Sequence, residues 1–212
     1  MRSFSDDERE RIREELLETA RELLVKFGPA KTTVKDITDP VGIAKPTFYQ
    51  FFDAKSDLYV DIFEQELDEF ATTLESELAA IDDPQDRLER FFRCYVEFGE
   101  GNEFIQEVFI KQDYREVLGD ISSDQLAEIE KKEMNVLIPP VAEIQARSDG
   151  PIAEMEPITV LGLMGSALGL LILHKDEYDE ISANVAEIQN GIYDHLQEEM
   201  IATLARGLTV ER

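Results

Sequence analysis

Apolar residues recur at three- and four-residue intervals along most of the chain, with polar residues filling the steps between them. Ile12, Leu16, Leu17, Ala20, Leu23, Leu24 and Phe27 predict a first helix that starts at Asp6 or Asp7 and stops at Gly28-Pro29. Leu58, Ile62, Phe63, Leu67, Phe70, Leu74 and Leu78 predict a long helix, capped by Asp53 and ended before Asp82-Asp83-Pro84. The same spacing continues through Leu88, Phe91, Phe92, Tyr95 and Val96, through Phe104, Ile105, Val108 and Phe109, and through Leu126, Ile129, Val136 and Leu137. Pro139-Pro140 is expected to interrupt this last helix, with a kinked resumption through Val141 and Ile144. Two further helices are expected from Pro157 to His174 and from about Tyr178 to Leu208. No strand alternation, internal repeat or low-complexity linker interrupts the pattern. The fold class is all-α.

Between the first two long helices lies a stretch of different character, Thr32 to Leu58. A short helix is expected from Thr33 to about Asp39, with Thr33 as cap and Asp36 completing a shortened capping box. Gly42 is suited to the positive φ that ends one helix and turns the chain into the next. The second short helix is expected from about Ala44 to Phe51, with Pro46 in its first turn, where a missing N–H costs little. Ile43, Phe48 and Phe52 point inward, which leaves Lys45, Thr47, Tyr49 and Gln50 outside or at the edges. A lysine, two hydroxyls and an amide near the start of an exposed helix are the groups that bond phosphates or base edges in a major groove. The stretch is expected to be a helix-turn-helix.

Charge sharpens this expectation. The formal net charge is −26, which opposes contact with a polyanion. Residues 1–60 hold 10 basic and 12 acidic side chains, residues 61–212 hold 11 and 35, and between Lys26 and Lys55 the balance is 5 against 3. The segment expected to touch DNA is thus the least acidic in the chain. A composition this acidic, with 9 Lys beside 12 Arg, resembles proteins from cells that keep molar salt inside. There a Debye length of roughly 3 Å would confine repulsion to contact distance, while counterion release would weaken phosphate binding.

The order TTVKDI, then VGIAKPTFYQFFDAKSDL, with RIREELLETARELLVKFG upstream, resembles the amino-terminal domain of TetR-family transcriptional repressors. The resemblance implies a helix-turn-helix DNA-binding domain at residues 1–54 and a larger helical ligand-binding and dimerisation domain at 55–212. It implies DNA contacts from Thr33, Lys35, Lys45, Thr47, Tyr49 and Lys55, a double-stranded operator as partner, and release by a small apolar or amphipathic ligand. Rotation of the long helix after Asp53 would change the separation of two reading heads in a dimer. Three residues depart from the family pattern: Pro40 is expected to end the first short helix early or kink it, Ala44 replaces a common Ser cap, and Pro46 replaces a frequent Gly.

Phe91, Phe92, Tyr95, Phe98, Phe109 and Tyr114 are the candidate lining of an apolar ligand pocket, although an aromatic stripe at helical spacing also serves as plain core. Gly162, Gly165 and Gly169 would let a second helix approach closely, and with Ile188, Ile192 and Leu196 they are the expected surface of a four-helix homodimer interface. Cys94 is alone, among Phe91, Phe92 and Tyr95, and is expected to be a small buried side chain. Arg9, Arg11 and Arg13 are placed close enough to reach a phosphate but stand among six carboxylates, so surface ion pairs are expected of them.

Enzymatic chemistry finds little purchase. His174 and His195 are the two histidines, no phosphate-cradling glycine loop or nucleophile elbow appears, and neither a metal site nor a cofactor is expected. The longest apolar run, Ile158 to Leu173, is short for a membrane span and interrupted by glycines, and a cytoplasmic location is expected. Two readings remain: a ligand-responsive DNA-binding regulator, or an all-helical ligand-binding or protein-interaction module that has lost its affinity for DNA.

Overall fold

Ser5 begins the first helix. Its hydroxyl accepts the Glu8 N–H at 3.2 Å and the Glu8 carboxylate accepts the Ser5 N–H at 3.3 Å, so two amides that a helix start leaves unpaired are bonded. Helix α1 then runs Asp6–Phe27 in the computed structural model, which describes residues 4–110, 122–184 and 191–211. Every regular element among these residues is helical. After α1 come α2 (Val34–Val41), α3 (Lys45–Phe48), α4 (Lys55–Leu78), α5 (Pro84–Gly101) and α6 (Glu103–Ile105), the last extended by a π-turn over Gln106–Ile110. Next are α7 (Ser123–Gln145), a 3-10 turn over Pro151–Glu154, α8 (Pro157–Leu173), α9 (Lys175–Asn184) and α10 (Ile192–Thr209).

These elements form two compact units, one made of Met1–Leu67 with Asn102–Lys131 and the other of Asp68–Gly101 with Lys132–Arg212. In the first, α1 buries Ile12, Leu16, Leu17, Ala20 and Leu24 against α2 and α6. Each such leucine contributes about 1.5–3 kcal/mol by leaving water. Phe27, expected on the same stripe, is instead 49% exposed, because the helix stops at Gly28 and the ring lies under the Lys26 ammonium at 5.1 Å. Glu66 is buried, and its carboxylate is met by Arg21 Nε at 2.5 Å and by the Asn102 amide. Both partners are needed, since a lone buried carboxylate would be costly.

In the second unit, α5 packs on α10 and on the middle of α8. Leu88, Phe91, Phe92, Leu168, Ile201 and Ala205 are fully or almost fully buried there. Glu100 ties α5 to the last helices through the Tyr193 hydroxyl, Gln197 Nε2 at 2.9 Å and Lys175 Nζ at 3.1 Å. Gly150 has the closest approach, because a Cβ there would stand 2.3 Å from the Thr209 backbone.

Four expectations about the helices change. Pro40 lies inside α2, which continues to Val41, and Pro139 and Pro140 lie inside an α7 that runs unbroken to Gln145. A proline removes one bond to the fourth residue back, but Ile37 on one side of Pro40, and Leu137, Val141 and Ile144 around the proline pair, are 4% exposed or less. Their burial holds the helical path. At the start of α4 the acceptor is Asp57, whose carboxylate takes the Ala54 N–H at 2.8 Å. The stretch expected to form one helix from Tyr178 to Leu208 divides between α9 and α10.

Candidate nucleic-acid interface

The turn before α2 is built on Thr32 and Thr33, which have opposite fates. Thr32 is buried and gives its hydroxyl proton to the Gly28 carbonyl at 2.8 Å. Thr33 is exposed and caps α2: its hydroxyl oxygen accepts the Asp36 N–H at 3.3 Å, and Asp36 accepts the Thr33 N–H at 2.9 Å and its hydroxyl proton at 2.6 Å. These bonds from Thr33 hold the Asp36 carboxyl below its ordinary range. Gly42 closes α2 in the left-handed region, at φ 74°, with its N–H on the Asp39 carbonyl at 3.2 Å.

Helix α3 is a single turn, shorter than expected. Ala44 offers no side-chain cap and Pro46 occupies the second helical position. What holds the turn is Phe48, wholly buried, with Phe52 at 5.4 Å and Tyr49 edge-on at 5.4 Å. Fixing Phe48 inward leaves Lys45, Tyr49 and Gln50 exposed and Thr47 half-buried. Lys35 on α2 is also exposed, with Asp39 at 4.0 Å.

Two arginines of α1 complete the support. Arg9 donates to the Gln50 carbonyl at 2.5 Å and places its guanidinium 4.9 Å from the centre of the Phe51 ring. Arg13 bonds Asp61 and lies 5.6 Å from the Phe52 ring centre, while Arg11 pairs with Glu15 at 2.6 Å. Ion pairing was expected of all three, but the Arg9 bond across 41 residues had no local signal in the sequence.

Lys55 has an internal task. Its ammonium donates to the Pro29 carbonyl at 2.9 Å and the Thr32 carbonyl at 2.8 Å, and sits 5.5 Å from the centre of the Tyr59 ring. It braces the turn that presents Thr33.

In the second unit, the expected aromatic pocket is largely packed. Phe91 and Phe92 are buried against one another at 6.0 Å, and Phe98 stacks on Phe70 at 4.4 Å. Tyr95 is half-buried, with burial the main reason its hydroxyl titrates above the usual range. The Phe109 side chain, Tyr114 and Ile188 lie outside the described residues. A cleft of about 670 Å3 does occur in this unit, but its walls are Leu74, Leu78, Arg87, Val136, Pro139 and neighbours, with none of the expected aromatics.

Of the expected interface residues, a Cβ on Gly162 or Gly165 would meet nothing within 4 Å, whereas one on Gly169 would come 3.0 Å from the Tyr95 hydroxyl. Gly169 is therefore constrained from within its own chain. Ile192 and Leu196 are half-buried. Beside the glycines, α8 exposes Ile158, Leu163, Leu170 and Leu173. Cys94 is a buried free thiol whose pKa burial pushes up to about 11.

Among the described residues, no group of three or more His, Cys, Asp or Glu is arranged to hold a metal ion, and no single helix is long and apolar enough to cross a membrane. His174 pairs with Glu177 at 2.9 Å and His195 is exposed.

Residues 16–62, which include α2, α3 and most of α1, match the model of bacterial regulatory proteins of the tetR family. The HTH-type transcriptional activator FasR of Mycolicibacterium smegmatis is 24% identical over 156 residues, covering 74% of this chain and 68% of its own length. Among solved structures, a TetR-family transcriptional regulator from Pectobacterium atrosepticum superposes with a TM-score of 0.66 at 23% identity, over 98% of this chain and 99% of that one. The regulator FadR from Bacillus subtilis, solved in complex with stearoyl-CoA, superposes with a TM-score of 0.61 at 16% identity, over 92% and 98%. With its capped α2, its glycine turn and its short exposed α3 inside the matched segment, the chain carries an amino-terminal segment of the tetR-family type, within a fold that resembles that of TetR-family regulators.

Proposed function

We propose that this regulator binds a specific operator in double-stranded DNA as a homodimer, from the cytoplasm, and that a small amphipathic ligand releases it as a repressor. The observation that carries the reading is the arrangement on α3. A buried Phe48 fixes a turn from which Lys45, Tyr49 and Gln50 project into solvent and Thr47 stands at the edge. Such donors near a helix start enter a major groove, with Thr33 and Lys35 on α2 placed for phosphates. We assign this work to residues 1–54 and ligand binding and dimerisation to 55–212. The similarity to FadR, whose structure holds stearoyl-CoA, supports a ligand with a long apolar part. The exposed apolar residues of α8 beside Gly162 and Gly165 support a two-fold pairing of α8 and α10. The composition supports work in molar salt.

A module without DNA affinity drew its case from Pro40 breaking the first reading helix and from the acidic body. Because α2 passes through Pro40 to Val41, Pro40 gives that module no support.

The test is selection of bound fragments from a fragmented source genome, followed by gel shifts from 0.1 to 2 M KCl. One enriched sequence is expected, and Thr47→Ala or Lys45→Ala should change the preferred bases as well as weaken binding. Retention of all sequences alike at every salt concentration would overturn the reading.

A further inference from the structure

Within the second unit, the cleft of about 670 Å3 is lined by residues of 68–79, along and just past α4, and of 132–147, along and just past α7, together with Arg87. Small-molecule sites span roughly 300–1,000 Å3. Leu74, Leu78, Val136, Pro139 and Pro140 give it apolar walls. Pro139 and Pro140 have no N–H to return to the Asn135 and Val136 carbonyls, both in lining residues, so the wall also carries acceptors deprived of their helical donors. Three cations line the same cleft: Arg87, Lys132 and Arg147. Three carboxylates, Asp68, Glu75 and Glu143, line it as well, so the cleft is balanced in charge where the sequence gives the unit 24 acidic and 8 basic residues.

Arg87 indicates the ligand chemistry. Its side chain is 7% exposed, with Nη1 donating to the Leu78 and Ile81 carbonyls and Nη2 to Glu143 at 2.5 Å. Nε is buried without a hydrogen-bond partner. Nε and Nη2 form one edge of the planar guanidinium, the edge that matches two oxygens of a single carboxylate or phosphate. Glu143, itself 56% exposed, fills only half of that edge.

We propose that this cleft binds a small anionic amphiphile, its apolar chain along Leu74, Leu78, Val136 and the two prolines and its oxyanion on the Nε–Nη2 edge of Arg87 in place of Glu143. The ligand anion pairs both donors of the edge where Glu143 pairs one, and Glu143 moves from a half-exposed position fully into water. Lys132, held by Asp68 at 3.0 Å, and Arg147, 3.7 Å from Asp82, offset the acidic residues around the cleft. The inference rests on the reading of the chain as a ligand-responsive regulator and adds the class of its ligand.

Calorimetric titration of the full chain with decanoate, decanoyl-coenzyme A and decanol tests it. One saturable site is expected for decanoate, decanoyl-coenzyme A or both, with decanol about tenfold weaker or worse, the equivalent of one charge-assisted contact. Binding of decanoate assigns the oxyanion to a carboxylate, and binding of the thioester alone assigns it to the phosphates. Val136→Trp fills the apolar wall and should weaken the anions by about tenfold or more. Glu143→Gln removes the competing charge and should tighten the anions about threefold or more while leaving decanol unchanged. Should Val136→Trp fail to fold, the exposed Glu143 substitution still decides. Equal binding of decanol and the anions, no binding of either anion, or affinities unmoved by Glu143→Gln would overturn the proposal. Retention of the selected operator fragment, scored on the ligand-free samples, separates the two ideas: operator binding without amphiphile binding sinks this inference alone, and amphiphile binding without operator binding sinks the regulator.

Discussion

Lys45 and Lys55 carry the same charge on either side of the reading turn, yet their surroundings give them different work. Lys45 is exposed at the start of α3, whereas Lys55 is half-buried with its ammonium on the Pro29 and Thr32 carbonyls. Hydrogen bonds to a charged group contribute about 1.5–3 kcal/mol, and losing the donor leaves two carbonyls without it. Lys55→Ala is therefore expected to lower unfolding free energy by about 2 kcal/mol in urea titration, and to weaken DNA binding by loosening the turn that carries Thr33. Lys45→Ala should change stability by less than about 0.5 kcal/mol and weaken DNA binding directly. Equal stability of the two variants would return Lys55 to the role of a simple phosphate contact. Asp36 adds a pH signature to the same turn. Its carboxyl titrates below the ordinary range when folded, so its contribution is present above that range and disappears as the pH falls through the lowered value.

The second scale is that of the helix and its ends, where glycine and proline act in ways that periodicity does not register. Gly150 precedes the 3-10 turn, and a Cβ on it would lie 2.3 Å from the carbonyl carbon of Thr209 at the end of α10. Backbone cannot yield as a side-chain tip can, so Gly150→Ala should destabilise by about 2–3 kcal/mol, in the range of core overpacking. Gly162→Ala, whose new methyl meets nothing within 4 Å, should leave the monomer fold intact. A thermal melt of each variant checks the contrast, and equal midpoints would sink it. The long elements α1, α4 and α5 were legible because each repeats apolar residues on one face, and α8 because its apolar run is too long for a strand. Pro139-Pro140 and Pro40 misled because a local rule about missing N–H groups was outweighed by burial of their neighbours, information that lies in other helices. The reading turn was legible in Gly42, Phe48 and the polar set between them. The bond from Arg9 to Gln50 and the cleft at Arg87 join residues far apart in sequence and ordinary in type, so nothing local marks them. The aromatic cluster was conspicuous for composition alone, and among its described members Phe91 and Phe92 serve as core.

At the scale of the whole molecule, the apolar face of α8 and the charge of −26 are the two features a monomer in dilute buffer tolerates poorly. Ile158, Leu170 and Leu173 are each more than half exposed, an arrangement that marks an association surface. If α8 pairs across a two-fold axis, Leu170→Glu places two like charges near that axis, and sedimentation at micromolar concentration should shift from a species of twice 24.2 kDa to one of 24.2 kDa. A wild-type chain that sediments as a monomer would remove the dimer from the proposal. The charge acts differently, since repulsion among 47 carboxylates against 21 cations is spread over the surface. Several arginines are already engaged: Arg90 bridges Glu77 and Glu97, Arg93 holds Glu198, and Arg87 holds Glu143. The remaining excess is relieved only by ions in solution. Raising KCl from 0.1 to 2 M shortens the Debye length from about 10 Å to below 3 Å. Screening worth about 2 kcal/mol should then raise the melting midpoint by roughly 4–8 °C for a chain of this size. Potassium chloride is the salt to use, because sulfate would stabilise any protein through exclusion from its surface. DNA affinity should move the opposite way, falling with salt in proportion to the phosphates neutralised. With so few cations on the reading face, the slope should be shallow, and operator binding that survives above 1 M KCl should then depend on Thr47, Tyr49 and Gln50 more than on Lys45. A midpoint that stays level or falls across the salt series would show that the acidic surface is not an adaptation to molar salt.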